Sequence, residues 1–329
     1  MSDLDTSLTA LRDDAALVSP DSRFLVRAAG PDLLPWLERL CSMPVQDIAP
    51  DQVRRATLMD GKGKLRCDLR VLSPASEARD PQTPSLLLDL PSSTHANMLR
   101  LLDMFIIKEK VELTDLFTER VHLALLGPRA GEVLAACELP GVPEAGALVE
   151  LNPGVLALPE NLSGTGGVEL FVERESAREL VDALLARGAT RVDNEALEIT
   201  RLEHGIPRFD KDLADGVIPL EAQLEDWVST TKGCYPGQEV VARIRNLGQV
   251  GRKLVRLQAE GEHALSADSE LLGCGESDGK TAGSLSSWVV DPAGSRTLAL
   301  AYVRRAFWNS GTQLRVGDVP FTVHDLAAS

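Results

Sequence analysis

The sequence predicts an α+β fold: two α+β lobes followed by a small C-terminal β-barrel. Three observations predict it. Helical and alternating apolar spacings follow one another in a similar order twice between residues 30 and 187. From Leu254 onward only short β-like runs separated by Gly, Ser and Asp remain. A length of 329 residues suits two to three domains at roughly 150 residues each. The expected boundaries are 1–118 for the first lobe, 119–194 for the second and 251–329 for the barrel.

In chain order, Gly30-Pro31-Asp32 opens a helix with Leu33, Leu37, Leu40 and Cys41 on one face, and Met43-Pro44 closes it. Arg55–Met59 reads as a strand, and Leu65, Cys67, Leu69 and Val71 alternate with polar residues in a second. The turn Asp60-Gly61-Lys62-Gly63-Lys64 between them makes a hairpin. A Pro- and Ser-rich loop (Ser73–Ser85) leads to the strand Leu86–Leu90, a helix from about Ser92 to Met104 and the strand Glu109–Leu113.

The second lobe repeats this order weakly: strand His122–Leu126, helix Pro128–Cys137, strands around Ala147–Leu158 and Val168–Val172, and helix Ser176–Arg187. Asp193 is the expected N-cap of a further helix carrying Ala196, Ile199 and Leu202 on one face. Gly205 stands at its C′ position and Pro207 just beyond, so Glu203 falls in the last turn. The barrel strands are expected at Leu254–Leu257, Thr281–Val290, Thr297–Val303, Gln313–Val316 and Phe321–His324.

Lys and Arg total 34 against 49 Asp and Glu, a net charge of −15, which argues against direct nucleic-acid binding because phosphate recognition needs a basic face. The longest uninterrupted apolar run, Leu298–Val303, is far short of the roughly 20 residues of a membrane span. Residues 1–5 carry no basic stretch followed by an apolar one, so a cytoplasmic location is expected. The five cysteines lie far apart and the histidines form no closely spaced pair, so free thiols and no metal site are expected.

Three side chains are candidates for chemistry. Cys234 lies in Lys232-Gly233-Cys234-Tyr235-Pro236-Gly237-Gln238-Glu239, ahead of one or two helical turns. A helix N-terminus and the Lys232 ammonium would both favour its thiolate, while the alternative is a small buried hydrophobe. Lys232 to Arg256 also concentrates Lys232, Arg243, Arg245, Arg252, Lys253 and Arg256 against the single acid Glu239, either an anion site or a solvated face.

Glu203 is placed unfavourably at a helix C-terminus and needs a compensating partner. That partner is either a ligand edge with two parallel N–H donors or an ion pair with Arg201 or Arg208. Asp68 follows the glycine hairpin on a strand and could bind an amine or act as a base; the other reading is a solvent-facing carboxylate. The clusters Gly61–Lys64, Gly164–Gly167 and Gly273–Gly275 lack nucleotide-loop spacing and read as turns.

Lys232–Glu239 resembles the K-G-C-[YFT]-x-G-Q-E signature of YgfZ-type folate-binding proteins, relatives of the glycine-cleavage T-protein, an aminomethyltransferase. The resemblance extends through the Gly61–Asp68 hairpin, Gly127–Ala130, Gly167–Leu170, Arg201–Pro207, Pro219–Glu221 and Gly283–Ser287. It implies a T-protein-like three-lobed ring with tetrahydrofolate in the middle, residues 195–250 contributing to the folate-binding core. By the same resemblance Glu203 would hold the pterin edge and Asp68 would stand near the folate N5. Lys232, Tyr235, Arg243 and Arg252 are expected to contact folate, the basic stretch holding a glutamate tail, that of polyglutamylated folate included, or else a partner's acidic patch. Cys234, absent from T-proteins at this position, points to the branch that supports iron–sulfur enzymes or their assembly proteins and tRNA modification. The alternative is a folate-dependent aminomethyl- or methyltransferase, with Cys234 and Asp68 as catalytic candidates, and a third reading is an interaction scaffold. On the leading reading Glu203 and Cys234 converge on one cavity.

Overall fold

The protein is described here from a computed structural model covering residues 3–77, 83–160, 162–214, 216–248, 250–266 and 269–326. The middle of the expected Ser73–Ser85 loop, 78–82, lies outside the described residues. The chain opens with α1 (Asp3–Asp13) and β1 (Ala16–Val18), followed by β2 (Arg23–Ala29), α2 (Leu33–Leu40), β3 (Gln52–Met59), β4 (Leu65–Ser73), β5 (Ser85–Pro91), α3 (His95–Met104) and β6 (Glu112–Asp115). Then come β7 (Arg120–Leu126), α4 (Ala130–Ala136), β8 (Val149–Asn152), β9 (Val155–Pro159), β10 (Gly167–Glu173), α5 (Arg174–Ala186), β11 (Thr190–Arg191) and α6 (Asn194–His204). The last part holds α7 (Gln238–Leu247), β12 (Arg252–Glu260), β13 (Glu270–Gly273), β14 (Thr281–Asp291), β15 (Arg296–Arg304), β16 (Gln313–Val316) and β17 (Val319–His324).

These strands form two open sheets, β3-β4-β5-β2-β6 and β11-β1-β7-β10-β9-β8, and a closed barrel, β12-β15-β14-β13-β16-β17. The barrel closes through β17 against β12, which leaves it no free edge. The α+β reading with a C-terminal barrel therefore holds. Its sixth strand, β13, was not expected, because Glu270–Gly273 is short and carries little alternation. The second sheet also takes in β1, from a stretch expected to belong with residues 1–118. Three residues suffice there because β1 lies between β7 and β11 and is paired on both sides.

Local chemistry explains the elements that position the site. Asp193 Oδ1 accepts from the Ala196 amide at 3.0 Å, and Gly205 ends α6 in the left-handed conformation (φ 71°), as its sequence predicts. In the β3–β4 turn Asp60 Oδ1 accepts from the amides of Lys62 (2.8 Å) and Lys64 (2.9 Å). Here the backbones approach closely: a Cβ on Gly237 would lie 2.7 Å from the Gly63 Cα. Glycine at both places lets the hairpin rest on the loop that starts α7.

The two open sheets pack face to face through Leu25, Leu72, Leu87, Leu156, Leu158 and Phe171. Side chains two apart share a face of a strand, so stepping one pair along each strand shows what borders this apolar layer. Leu25 gives way to Arg23, Leu72 to Arg70 and then Asp68, Leu87 to Asp89, Phe171 to Glu169, and Val53 to Arg55. The same face thus changes from aliphatic to charged at one end, and a cavity opens there. Residues 205–207, 213 and 222–227 border that opening, and Asp212 beside them fastens the barrel. It accepts from Ser286 Oγ (2.5 Å), Ser287 Oγ (2.6 Å) and Arg201 Nη1 (2.7 Å), and Tyr302 donates to its carbonyl at 2.8 Å.

Candidate functional site

The cavity has a volume of about 800 Å³ and is bordered by both sheets, the 205–227 segment and Leu326. Pockets that bind small molecules run from about 300 to 1,000 Å³, so the space suits a cofactor-sized ligand. A smaller cavity of about 310 Å³ adjoins it, and the two share Asp68, Arg70, Pro207 and Trp227.

Asp68 is buried at that junction. Its Oδ2 accepts from Arg23 Nη1 at 2.6 Å, whereas Oδ1 is buried and has no hydrogen-bond partner. The expectation of a solvent-facing carboxylate fails because the face opposite Leu69 is the one that looks across to the second sheet. From Asp68 a chain of charges runs under the cavity. Arg23 donates to Asp89 Oδ1 (2.7 Å), and Arg70 Nε donates to Asp89 Oδ2. The other end of Arg70 makes a bidentate pair with Glu169 at 2.6 and 2.7 Å, and His122 Nε2 lies 3.0 Å from Glu169. Burial opposes ionisation of Glu169, but the Arg70 charge and its hydrogen bonds, aided by His122, hold this carboxyl well below the usual range. Two guanidinium groups thus face three carboxylates, leaving the floor one negative charge in excess when His122 is neutral. Its open acceptor is Asp68 Oδ1, which calls for a donor or a cation from a ligand.

Sequence reasoning missed several wall residues. Glu160 lies in a nest of four backbone amides, those of Leu162 (2.6 Å), Ser163 (2.9 Å), Gly164 (2.9 Å) and Gly166 (3.1 Å). Arg55 stands over the Trp227 ring, 5.5 Å from its centroid. The available signal was two successive arginines, Arg54-Arg55, inside a strand that is otherwise becoming apolar.

Several residues expected to touch a ligand are engaged elsewhere. Glu203 does not line the cavity: Arg12 donates to its Oε2 (3.1 and 2.8 Å) and Arg296 to its Oε1 (2.7 Å). Burial would raise its pKa, but the hydrogen bonds from Arg296 and Arg12 win and lower it. The compensation expected for a carboxylate at a helix C-terminus is therefore supplied by α1 and the barrel, not by Arg201, Arg208 or a ligand. Arg201 is buried against Asp212 and Glu198, and Arg208 pairs with Glu198.

Lys232 is almost wholly buried, and its Nζ donates to the carbonyls of Glu38 (2.7 Å), Cys41 (2.8 Å) and Met43 (3.0 Å). Tyr235 donates to the Ser229 carbonyl at 2.6 Å. Arg252 pairs with Glu221 Oε2 at 3.0 Å and covers the Tyr302 ring. Arg243 is exposed on α7 and does not border the cavity. Glu203 and Cys234 accordingly do not converge on one cavity, since neither lines it.

Cys234 is exposed, so the buried-hydrophobe reading does not hold. The Lys232 ammonium, turned toward the end of α2, is not positioned as its counter-ion. Cys41 and Cys67 are buried; burial pushes the Cys41 thiol up to about 11, and burial followed by the Asp68 charge raises Cys67 well above its ordinary value. Iodoacetamide followed by peptide mass mapping is expected to modify Cys234 well before Cys67. Equal rates at these two would contradict the exposures. Among the described residues no group of three or more His, Cys, Asp or Glu is gathered in a metal-binding arrangement, and no helix is long and apolar enough to cross a membrane.

Comparison with known proteins places this geometry. Residues 4–232 match the family profile described as the GCVT N-terminal domain. The chain is 27% identical over 316 residues to an aminomethyltransferase of Rippkaea orientalis, covering 93% of this chain and 83% of that one. It is 27% identical over 257 residues to the tRNA-modifying protein YgfZ of Edwardsiella ictaluri, covering 78% and 74%. Its fold is similar to that of the glycine cleavage system aminomethyltransferase T from Bartonella henselae, with a TM-score of 0.85 at 22% identity over 98% of this chain and 88% of that one.

Proposed function

Since the chain belongs to the GCVT N-terminal domain family, we propose that it binds tetrahydrofolate in the cavity between its two sheets and serves as an accessory protein to iron–sulfur enzymes and tRNA modification. The observation that carries the binding step is the unpartnered, buried Oδ1 of Asp68 at the meeting point of the two cavities. A buried acceptor without a donor costs about 1–3 kcal/mol, and a reduced pterin, rich in N–H groups, would satisfy it. The residues present fit such a group: Asp68 offers the acceptor, and the walls at Leu158, Pro207, Leu213 and Trp227 offer apolar contact. When bound, tetrahydrofolate supplies a nucleophilic N5 that carries one-carbon units.

The accessory role is favoured by Cys234, which is exposed in the Lys232–Glu239 segment that resembles the YgfZ-type signature, and by the tRNA-modifying relative. The second reading, aminomethyl transfer, is favoured by a buried carboxylate in the cavity and by aminomethyltransferase relatives. In that case Asp68 would hold or accept a proton beside the folate.

Anaerobic calorimetry with tetrahydrofolate on wild type and Asp68→Asn tests the binding step. Amide for carboxylate removes charge with little change in shape, and affinity is expected to fall about 10- to 100-fold, the worth of a charge-assisted hydrogen bond. Equal affinity in the two proteins would remove the assignment. Formation of methylene-tetrahydrofolate from an aminomethyl donor, abolished in Asp68→Asn, would favour the enzyme over the accessory protein.

A further inference from the structure

Among the cations bordering the larger cavity, Arg55 differs from the rest. Arg54 donates to the Pro44 carbonyl and to Asp47, both at 2.8 Å, and Arg70 is saturated by Asp89 and Glu169. Among the described residues no acceptor lies at hydrogen-bond distance from the Arg55 guanidinium, whose contact is the face of Trp227. Burial, followed by the nearby Arg70 charge, disfavours its protonated form. Glu169 and Glu160 favour the charge without outweighing burial and the neighbouring arginines, so a partly buried guanidinium with no carboxylate at hydrogen-bond distance would gain from an added anion.

The register defines what it can reach. Arg55 lies opposite Arg70, and Thr57 lies opposite Asp68, so Arg55 and Asp68 occupy the same face as diagonal neighbours about 7–8 Å apart along the backbone. The cavity wall therefore offers an open hydrogen-bond acceptor at one point and, at another, a planar cation with no hydrogen-bonded counter-ion among the described residues. Such a wall suits a ligand with an N–H-rich end and an anionic end.

We infer that Arg55, standing over Trp227, is the subsite for the anionic tail of the cavity's ligand: a carboxylate of the folate benzoylglutamate, taken in the bidentate fashion that guanidinium favours. This assignment rests on the folate reading and replaces the expectation that Arg243 and Arg252 hold the tail. Trp227 holds the guanidinium near the wall by a cation–π contact, 5.5 Å from the ring centroid.

The test is calorimetry with two probes, tetrahydrofolate monoglutamate and 6-methyltetrahydropterin, which keeps the reduced ring and lacks the tail. Wild type is expected to bind the folate more tightly than the pterin. Arg55→Gln should weaken the folate about 10- to 100-fold and leave the pterin within about 2-fold, with its melting temperature unchanged or raised because no ion pair is lost. Arg55→Lys, which keeps the charge but not the planar fork, should fall between. As an independent measurement on wild type, raising the salt concentration should weaken the folate and spare the pterin. An equal loss for both ligands, or a folate affinity indifferent to Arg55 and to salt, would overturn the subsite while leaving folate binding intact. Wild type that binds neither ligand would remove the folate reading itself, and the subsite with it.

Discussion

Arg70→Met is expected to destabilise the protein by about 3–5 kcal/mol, the cost of breaking a buried charge pair from one side. Arg70 is buried between Asp89 and Glu169, both fully buried, and it is the element through which the two open sheets share charge. Methionine fills similar volume but takes from Glu169 its bidentate guanidinium partner and from Asp89 one of its two arginines. Urea unfolding at neutral pH measures the loss; a change under about 1 kcal/mol would mean that water reaches the pair and screens it. The double variant Arg70→Met/Glu169→Gln should recover part of the loss, because a neutral amide is cheaper to leave buried than a carboxylate.

The same pair sets an acid limit. Glu169 has a depressed pKa in the folded protein, so it binds its proton more readily unfolded. Its contribution is complete above the unfolded value of about 4.3 and is lost as pH falls through the lower folded value. Between neutrality and about pH 4.3 this group adds no slope. Below that, wild-type stability should drop with pH more steeply than that of Arg70→Met, in which the depression is relieved.

What the sequence made legible follows from the range of the interactions involved. The Asp193 cap, the Gly205 stop and the Asp60–Lys64 turn are decided within a few residues, and each stands where its local chemistry puts it. Asp68 was within reach of the same reasoning, because a hairpin and strict alternation fix the face on which it lies. Which side that face looks toward depends on the second sheet, and Phe171 and Glu169, which meet it, are about a hundred residues away. Glu203 and Lys232 show the converse. Their charges were visible, but the partners that engage them, Arg12 and Arg296 for one and the end of α2 for the other, arrive only through tertiary packing. A local excess of basic residues from 232 to 256 therefore said little about ligands. Arg252 answers Glu221, Lys253 answers Asp325, and Arg256 caps the Glu203 carbonyl. Arg55 lies outside that stretch, beside Arg54 and Arg70, and its distinguishing mark is that no acceptor among the described residues is hydrogen-bonded to it.

Lys232→Met separates structure from binding in the segment that most resembles a functional motif. The ammonium lies against the C-terminal turn of α2, where carbonyls lack intrahelical donors and the helix dipole favours a positive charge. It donates to the carbonyls of Glu38 and Cys41 there and of Met43 just beyond the helix, and stands 3.2 Å from the Glu38 carboxylate. Methionine reproduces the stem but supplies no donor, and each buried acceptor left open costs about 1–3 kcal/mol. Some carbonyls will turn to water, so a loss of about 3 kcal/mol is expected in urea unfolding. Lys232→Arg should not rescue it, because a planar fork cannot direct donors at three carbonyls converging on one point. Tetrahydrofolate affinity, measured where the variant remains folded, is expected to stay within about 2-fold of wild type, a difference well under 1.4 kcal/mol. The opposite pattern, full stability with affinity lost, would return Lys232 to the ligand and show that its hold on α2 is incidental.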